Sequence, residues 1–221
     1  MNELVKRSIT GILFIFIVVY ASMYNFFSAT ILWGVILVFG VVEFLRLKSK
    51  QKELGTSYMG SWMGVGVIVI AAGSVWGLGR PIDVILGINS SYSGMEVVAF
   101  LTWIWANDTF AYIGGRLLGR KVFKSGLAPE VSPNKSWEGA IIGALGAAIA
   151  GWFWMGELGV LLGTITGILS TCGDLIESSA KRRAGVKDSG SLLPGHGGVL
   201  DRFDGLVIAG PVVLIIKSLL V

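Results

Sequence analysis

SITGILFIFIVVYASMY, residues 8 to 24, holds no charged side chain, and a second uncharged run, Phe26 to Val42, follows after a single asparagine. Runs of roughly 17 to 22 apolar residues, rising about 1.5 Å per residue as helix, match a hydrocarbon core about 30 Å thick. No small-residue cleavage site closes a short hydrophobic region. The pair therefore reads as a helical hairpin kept in the mature protein, not as a signal peptide.

Working outward, further spans are expected near residues 58 to 77, 95 to 115, 137 to 155, 157 to 180 and 204 to 221. With 53% hydrophobic and 14% charged residues and a mean hydropathy of +0.74, the chain lies outside the range of soluble globular domains. The expected fold is all-α: a polytopic integral membrane helix bundle of about seven transmembrane helices. It is read as one membrane domain over residues 1–221, with scaffold helices over 1–94 and catalytic helices and loops over 95–221. PIDVILGINS, residues 81 to 90, opens with proline and is too short to cross, so it is expected as an outer loop or a surface-lying segment.

Seven crossings with the N-terminus inside place every Lys and Arg except Arg80 and Lys217 on the cytoplasmic side, as the positive-inside rule favours. The expected location is the inner (plasma) membrane, multi-pass, with the polar site facing the cytoplasm. The net charge of +4 is then a topology signal that needs no nucleic acid to explain it, although a basic face also attracts anionic lipids and nucleotides. Cys172 is the only cysteine and forms no intrachain disulfide. Glycines spaced as in GAIIGALGAAIAG suit close helix contact.

Polar residues enter these runs in three places. In TITGILSTCGDLIESSAKRR, residues 164 to 183, Asp174, Glu177 and Lys181 stand at i, i+3 and i+7 on one helical face. An aspartate so placed costs several kcal/mol unless it lines a cavity or meets a cation; the alternative is a structural pair of Asp174 or Glu177 with Lys181 or Arg182. Next, KDSGSLLPGHGGVLDRFDG, residues 187 to 205, opens with Lys187 and Asp188 and closes with Asp201, Arg202 and Asp204. Carboxylates in this arrangement suit Mg²⁺, which completes its shell with water and phosphate. The intervening PGHGG suits an anion, because glycine lets backbone N–H groups approach closely and a helix N-terminus follows. His196 is a general base, a phosphate ligand or a brace for the loop, and one histidine with one distant cysteine does not make a zinc site.

In WANDTFAYIGGRLLGRK, residues 105 to 121, Asn107, Asp108, Tyr112 and Arg116 fall along one helical face. They either complete a metal and nucleotide site or hold helices together. APEVSPNKSWEG, residues 128 to 139, is expected as a short cytoplasmic loop in which Ser132-Pro133 starts a turn or helix, Lys135 meets phosphate and Trp137 anchors at the interface.

From Ser178 to Asp204, SSAKRRAGVKDSGSLLPGHGGVLDRFD closely resembles the signature of the phosphatidate cytidylyltransferases, also called CDP-diacylglycerol synthases. GDLIES, SPNKSWEG and NDTFAYIGGRLLG resemble that family's upstream motifs, so the likeness covers about residues 100 to 210. Ala180 and Asn134 depart from the residues usual in the family.

The resemblance implies transfer of a cytidylyl group from CTP to phosphatidic acid, giving CDP-diacylglycerol and pyrophosphate, with Mg²⁺ and room for a second cation. The residues expected to be catalytic are Asp174, Lys181, Arg182, Lys187, Asp201, Arg202 and Asp204, with Asp174, Asp201 and Asp204 as metal ligands. Asn107, Asp108, Ser132, Lys135, Glu177, Asp188, His196, Gly197 and Gly198 are expected to bind substrate. Expected partners are CTP, phosphatidic acid, the lipid bilayer and a second copy of the chain. The rival readings are a CDP-archaeol synthase using an ether lipid, a lipid kinase using CTP, and an ion-coupled transporter. The two unlike halves and the charges gathered at one rim argue against the transporter.

Overall fold

The computed structural model describes residues 3–56, 61–79 and 92–220; the expected outer segment 81–90 lies outside them. Six helices account for most of this chain. They are α1 (Glu3–Tyr24), α2 (Phe26–Glu53), α3 (Ser61–Leu78), α4 (Gly94–Leu118), α5 (Trp137–Arg183) and α6 (Leu200–Leu220), with a small hairpin of β1 (Gly126–Ala128) and β2 (Ser132–Ser136) before α5.

The α1–α2 junction shows why one residue suffices for a break. Asn25 is extended (φ −166°), its side chain accepts from Ser28 N, and Ser28 Oγ accepts from Asn25 N, so both orphan donors at the start of α2 are satisfied. At the far end α2 runs to Glu53, well past the expected span end at Val42.

α5 is really two arms. Met155 (φ −139°) and Gly156 (φ 58°) leave helical geometry, at the boundary expected between residues 155 and 157. The arms then run against each other through small residues: Gly159 lies on Gly151, Gly163 on Ala147 and Gly167 on Ala144. A Cβ at Gly167 would come within 2.9 Å of the Ala144 Cα. This is the close approach that small residues at four-residue spacing permit. In α6, Phe203 (φ −126°) interrupts the helix after its first turn, near the expected start at Asp204.

Among the described residues, three helices are long and apolar enough to cross a membrane: α2, α5 and α6; shorter apolar stretches, Ser8–Tyr24 and Met63–Leu78, lie in α1 and α3. The all-α expectation holds apart from the hairpin. That hairpin corrects the reading of APEVSPNKSWEG as a loop in which Ser132-Pro133 starts a turn or helix, since Ser132 begins a strand. β2 pairs antiparallel with β1 through Gly126↔Ser136 and Ala128↔Ser132, and a two-stranded ribbon has only edges, where proline is tolerated.

The chain forms two compact units. The first comprises Met1–Val98 and Ala180–Asp204, and the second Ala99–Ser179 and Gly205–Val221. The glycine-rich loop thus groups with the N-terminal helices.

Candidate active site

In the second unit, α4, β2 and α5 enclose a cavity of about 500 Å³ lined by Asn107, Asp108, Tyr112, Arg116, Lys135 and Asp174, among others. The four α4 residues expected on one face all reach it. Lys135 Nζ forms an ion pair with Asp174 Oδ2, and the two side chains keep 28% and 33% of their exposure. Ser178 Oγ donates to Asp174 Oδ1 at 3.1 Å. Asn107, only 2% exposed, donates from Nδ2 to Asp108 Oδ1 at 3.3 Å and to Thr171 Oγ1 at 3.4 Å. Arg116 Nη1 donates to the Tyr112 hydroxyl. The carboxylates of Asp108 and Asp174 therefore line the cavity together with two cationic side chains.

Glu138 holds the segment that leads from α4 into the hairpin. Its carboxylate accepts from the backbone N–H groups of Arg120, Val122 and Phe123, at 3.1, 2.9 and 2.8 Å. Arg120 itself has φ 62°, a conformation that costs a non-glycine residue free energy, and its guanidinium reaches the Pro133 carbonyl. Ser132 sits at the Ala128 register of the ribbon.

In the first unit the loop after α5 closes on a second lysine–aspartate pair. Lys181 Nζ lies 2.6 Å from Asp201 Oδ1, and these side chains are only 10% and 5% exposed. Asp201 Oδ2 accepts from Ser189 N, Ser189 Oγ and Gly198 N, at 2.9, 2.9 and 2.8 Å. With Lys181 on Oδ1, this carboxylate is met by donors at both of its oxygens. Gly197 has φ +79°, and a Cβ there would stand 2.7 Å from Asp201 Oδ2, so the loop requires glycine at this point. Arg182 Nη1 caps the Val186 carbonyl at 3.0 Å. Lys187, Asp188 and Arg202 are exposed, Asp204 is half-buried and Glu177 is buried. The half-buried His196 ring faces α1, with Nε2 3.2 Å from where a Cβ on Gly11 would be, and its Nδ1 has no hydrogen-bond partner.

Among the described residues, no group of three or more His, Cys, Asp and Glu side chains is placed to hold a metal ion. The cavity of the second unit, with two carboxylates and hydroxyl and amide oxygens but no soft ligand, fits a hard cation. Asp201 is met by Lys181 at Oδ1 and by Ser189 and Gly198 at Oδ2.

Glu43, Ser189 and Glu138 escaped the sequence reading. Glu43 is 3% exposed and accepts from Ser189 Oγ at 3.0 Å, Val199 N at 3.0 Å and Leu200 N at 2.8 Å. The signal available was its position, an acid directly after an uncharged run of membrane-span length, which marks a functional or paired residue.

The profile of the cytidylyltransferase family matches residues 61–220. The phosphatidate cytidylyltransferase of Brucella abortus is 50% identical over 125 residues, which cover 52% of this chain and 44% of that protein. The phosphatidate cytidylyltransferase of Synechocystis sp. is 45% identical over 127 residues, 54% of this chain and 41% of the relative. That of Haemophilus influenzae is 41% identical over 133 residues, 54% of this chain and 45% of the relative. The chain matches less than half the length of each of these curated relatives. The profile takes in both lysine–aspartate pairs, the hairpin, the cavity and the glycine-rich loop, and on that match the chain belongs to the cytidylyltransferase family.

Proposed function

We propose that the chain transfers the cytidylyl group of CTP to phosphatidic acid at the cytoplasmic face of a membrane, giving CDP-diacylglycerol and pyrophosphate. The observation that carries this reading is the Lys135–Asp174 pair opening onto a cavity that also holds Asp108 and Arg116. It combines oxygen ligands with phosphate-binding cations in one concave space. Three relatives named for phosphatidate cytidylyl transfer support the choice of substrates.

An oxygen of the lipid phosphate forms the new bond to the α-phosphorus of CTP, the bond from that phosphorus to the β-phosphate oxygen breaks, and pyrophosphate leaves. A phosphate monoester carries about −1.5 to −2 charge at neutral pH, so the nucleophile is already ionised and needs no strong base. The protein's task is to bring two anions together and orient them. Lys135 and Arg116 neutralise phosphate oxygens at the cavity, while Lys187 and Arg202, both exposed, draw anionic groups to the loop. Asp174 and Asp108 would hold Mg²⁺, which would screen phosphate charge there. Lys181 is fixed by Asp201, and Asp204 stays a candidate for a second cation. His196 is proposed to brace the loop or touch substrate and is given no proton transfer.

Incubating the purified full chain in detergent with Mg²⁺, phosphatidic acid and CTP labelled at the α-phosphate should move label into the extracted lipid. Label confined to the aqueous phase would sink the proposal. The proposed topology, seven crossings with this site inside, has its own test. Ser189 is buried and hydrogen-bonded, so Ser191, which is exposed, is the better probe. In a Cys172→Ser background, Ser191→Cys should resist impermeant thiol reagents on intact cells and react in inverted vesicles, and Ser91→Cys should do the reverse. Labelling of Ser191→Cys from outside would overturn the orientation.

A further inference from the structure

A second heavily engaged carboxylate in the first unit lies in none of the sequence motifs. Glu43 sits on α2, in the half of the chain read as scaffold, and is 3% exposed. A buried carboxylate costs several kcal/mol unless it is well hydrogen-bonded or paired. Here three donors meet it: the Val199 and Leu200 N–H groups and the Ser189 hydroxyl. The first two are unsatisfied donors at the N-terminus of α6, where the helix dipole also favours negative charge. Gly190 and Gly198 both abut this carboxylate, and a Cβ on either would collide with it. The loop therefore closes around Glu43 from both sides.

The Ser189 hydroxyl oxygen lies 3.0 Å from Glu43 Oε2 and 2.9 Å from Asp201 Oδ2. With one hydrogen it donates to only one acceptor at a time, so other donors must hold the two carboxylates against it. On Glu43 these are the α6 N–H groups; on Asp201 they are Ser189 N, Gly198 N and Lys181. A continuous line runs from α2 through Glu43, Ser189 and Asp201 to the Lys181 ammonium. Elsewhere α2 also grips the end of α5, with Gln51 Nε2 donating to the Ala180 carbonyl at 2.7 Å.

We infer that Glu43 is a positioning residue for the proposed cytidylyl transfer: through Ser189 and Asp201 it sets where the Lys181 charge stands. This rests on the function proposed above. A group that orients a charge acts on the reacting complex more than on nucleotide capture, so its loss should fall on kcat.

The test uses the full chain in phosphatidic acid–detergent micelles with α-labelled CTP, comparing wild type, Glu43→Gln, Ser189→Ala and the double variant. Glutamine keeps the volume but turns an NH₂ group toward one of the backbone donors. Glu43→Gln is expected to lower kcat per folded molecule about tenfold, with KM for CTP within about twofold, the size of one lost charge-assisted hydrogen bond. Because both changes cut one line, the double variant should be no slower than Glu43→Gln alone. Multiplying losses, or a wild-type kcat in Glu43→Gln, would overturn the inference, since a merely structural role would change the yield of folded protein and leave kcat unmoved. If Glu43→Gln fails to fold, the kcat of Ser189→Ala decides, with a fall at constant KM upholding the line and no change breaking it. Amide exchange supplies an arm independent of activity: residues 198–201 should exchange faster in Glu43→Gln while residues 63–78 do not. A wild-type enzyme that labels no lipid would remove the functional reading, and the exchange arm would then decide whether Glu43 anchors the loop.

Discussion

The two lysine–aspartate pairs use the same chemistry in opposite settings. Lys135 and Asp174 keep 28% and 33% of their exposure beside a cavity of about 500 Å³. Lys181 and Asp201 keep 10% and 5%, and three further donors from Ser189 and Gly198 close over the aspartate. The first pair borders open space. The second is a strut, because removing either member takes away a charge partner inside a nearly closed site. A signature motif therefore need not have one role along its length: DRFD contributes a buried brace at Asp201 and an exposed cation at Arg202.

The widest separation should come from chelation. EDTA is expected to abolish cytidylyl transfer and Mg²⁺ to restore it, while the unfolding midpoint in detergent stays where it was, because protein donors meet both carboxylates of the first unit, Asp201 and Glu43. Recovery with Zn²⁺ alone would count against an all-oxygen site. A midpoint that fell with EDTA would break the comparison, since it would make the cation part of the strut.

Asp201→Asn comes next. It replaces a carboxylate oxygen that accepts hydrogen bonds with an NH₂ group and removes the charge 2.6 Å from the Lys181 ammonium. The expected cost is about 3–5 kcal/mol of stability, read as a lowered denaturation midpoint, with kcat per folded molecule falling as well. By contrast, Asp174→Asn should leave the midpoint within the error of the measurement and lower transfer about a hundredfold, the scale seen when a group that stabilises developing charge is removed. Equal losses of stability and activity in both variants would show that exposure does not separate their roles.

Much of this was legible in the chain. The asparagine hinge after Tyr24, the break near residue 156 and the four-residue glycine spacing in α5 are local features, fixed by residues a few positions apart. So is the face carrying Asn107, Asp108, Tyr112 and Arg116, because helical periodicity alone brings these residues to one side. What escaped depends on partners distant in sequence. Glu43 meets Ser189 across 146 positions, and no period or motif connects them. The alternative in which Asp174 pairs with Lys181 was a reasonable reading of spacing along one helix, yet each found a partner elsewhere, Lys135 and Asp201. The hairpin at Ser132 was hidden for a different reason. Its strands are three and five residues long and contain no apolar alternation, and they are held in place by Arg120 and, through the segment leading in from α4, by Glu138, instead of by a buried face.

The smallest expected effect sharpens the contrast most. Arginine for lysine keeps the charge at both pairs and changes only shape, so the two sites should respond according to the space each leaves. At Lys135 the side chain borders a cavity, a guanidinium has room to turn, and an exposed ion pair contributes only about 0–1 kcal/mol to begin with. Lys135→Arg should therefore shift stability by less than about 0.5 kcal/mol. At Lys181 the ammonium occupies a nearly closed site, 2.6 Å from Asp201 Oδ1, and a larger planar group must displace either the aspartate or the loop. Overpacking of that kind costs about 1–3 kcal/mol, so Lys181→Arg should unfold at a lower denaturant concentration than Lys135→Arg under the same conditions. Indistinguishable midpoints would mean that the buried pair has slack that its geometry does not reveal, and the distinction between an open pair and a strut would fall with it.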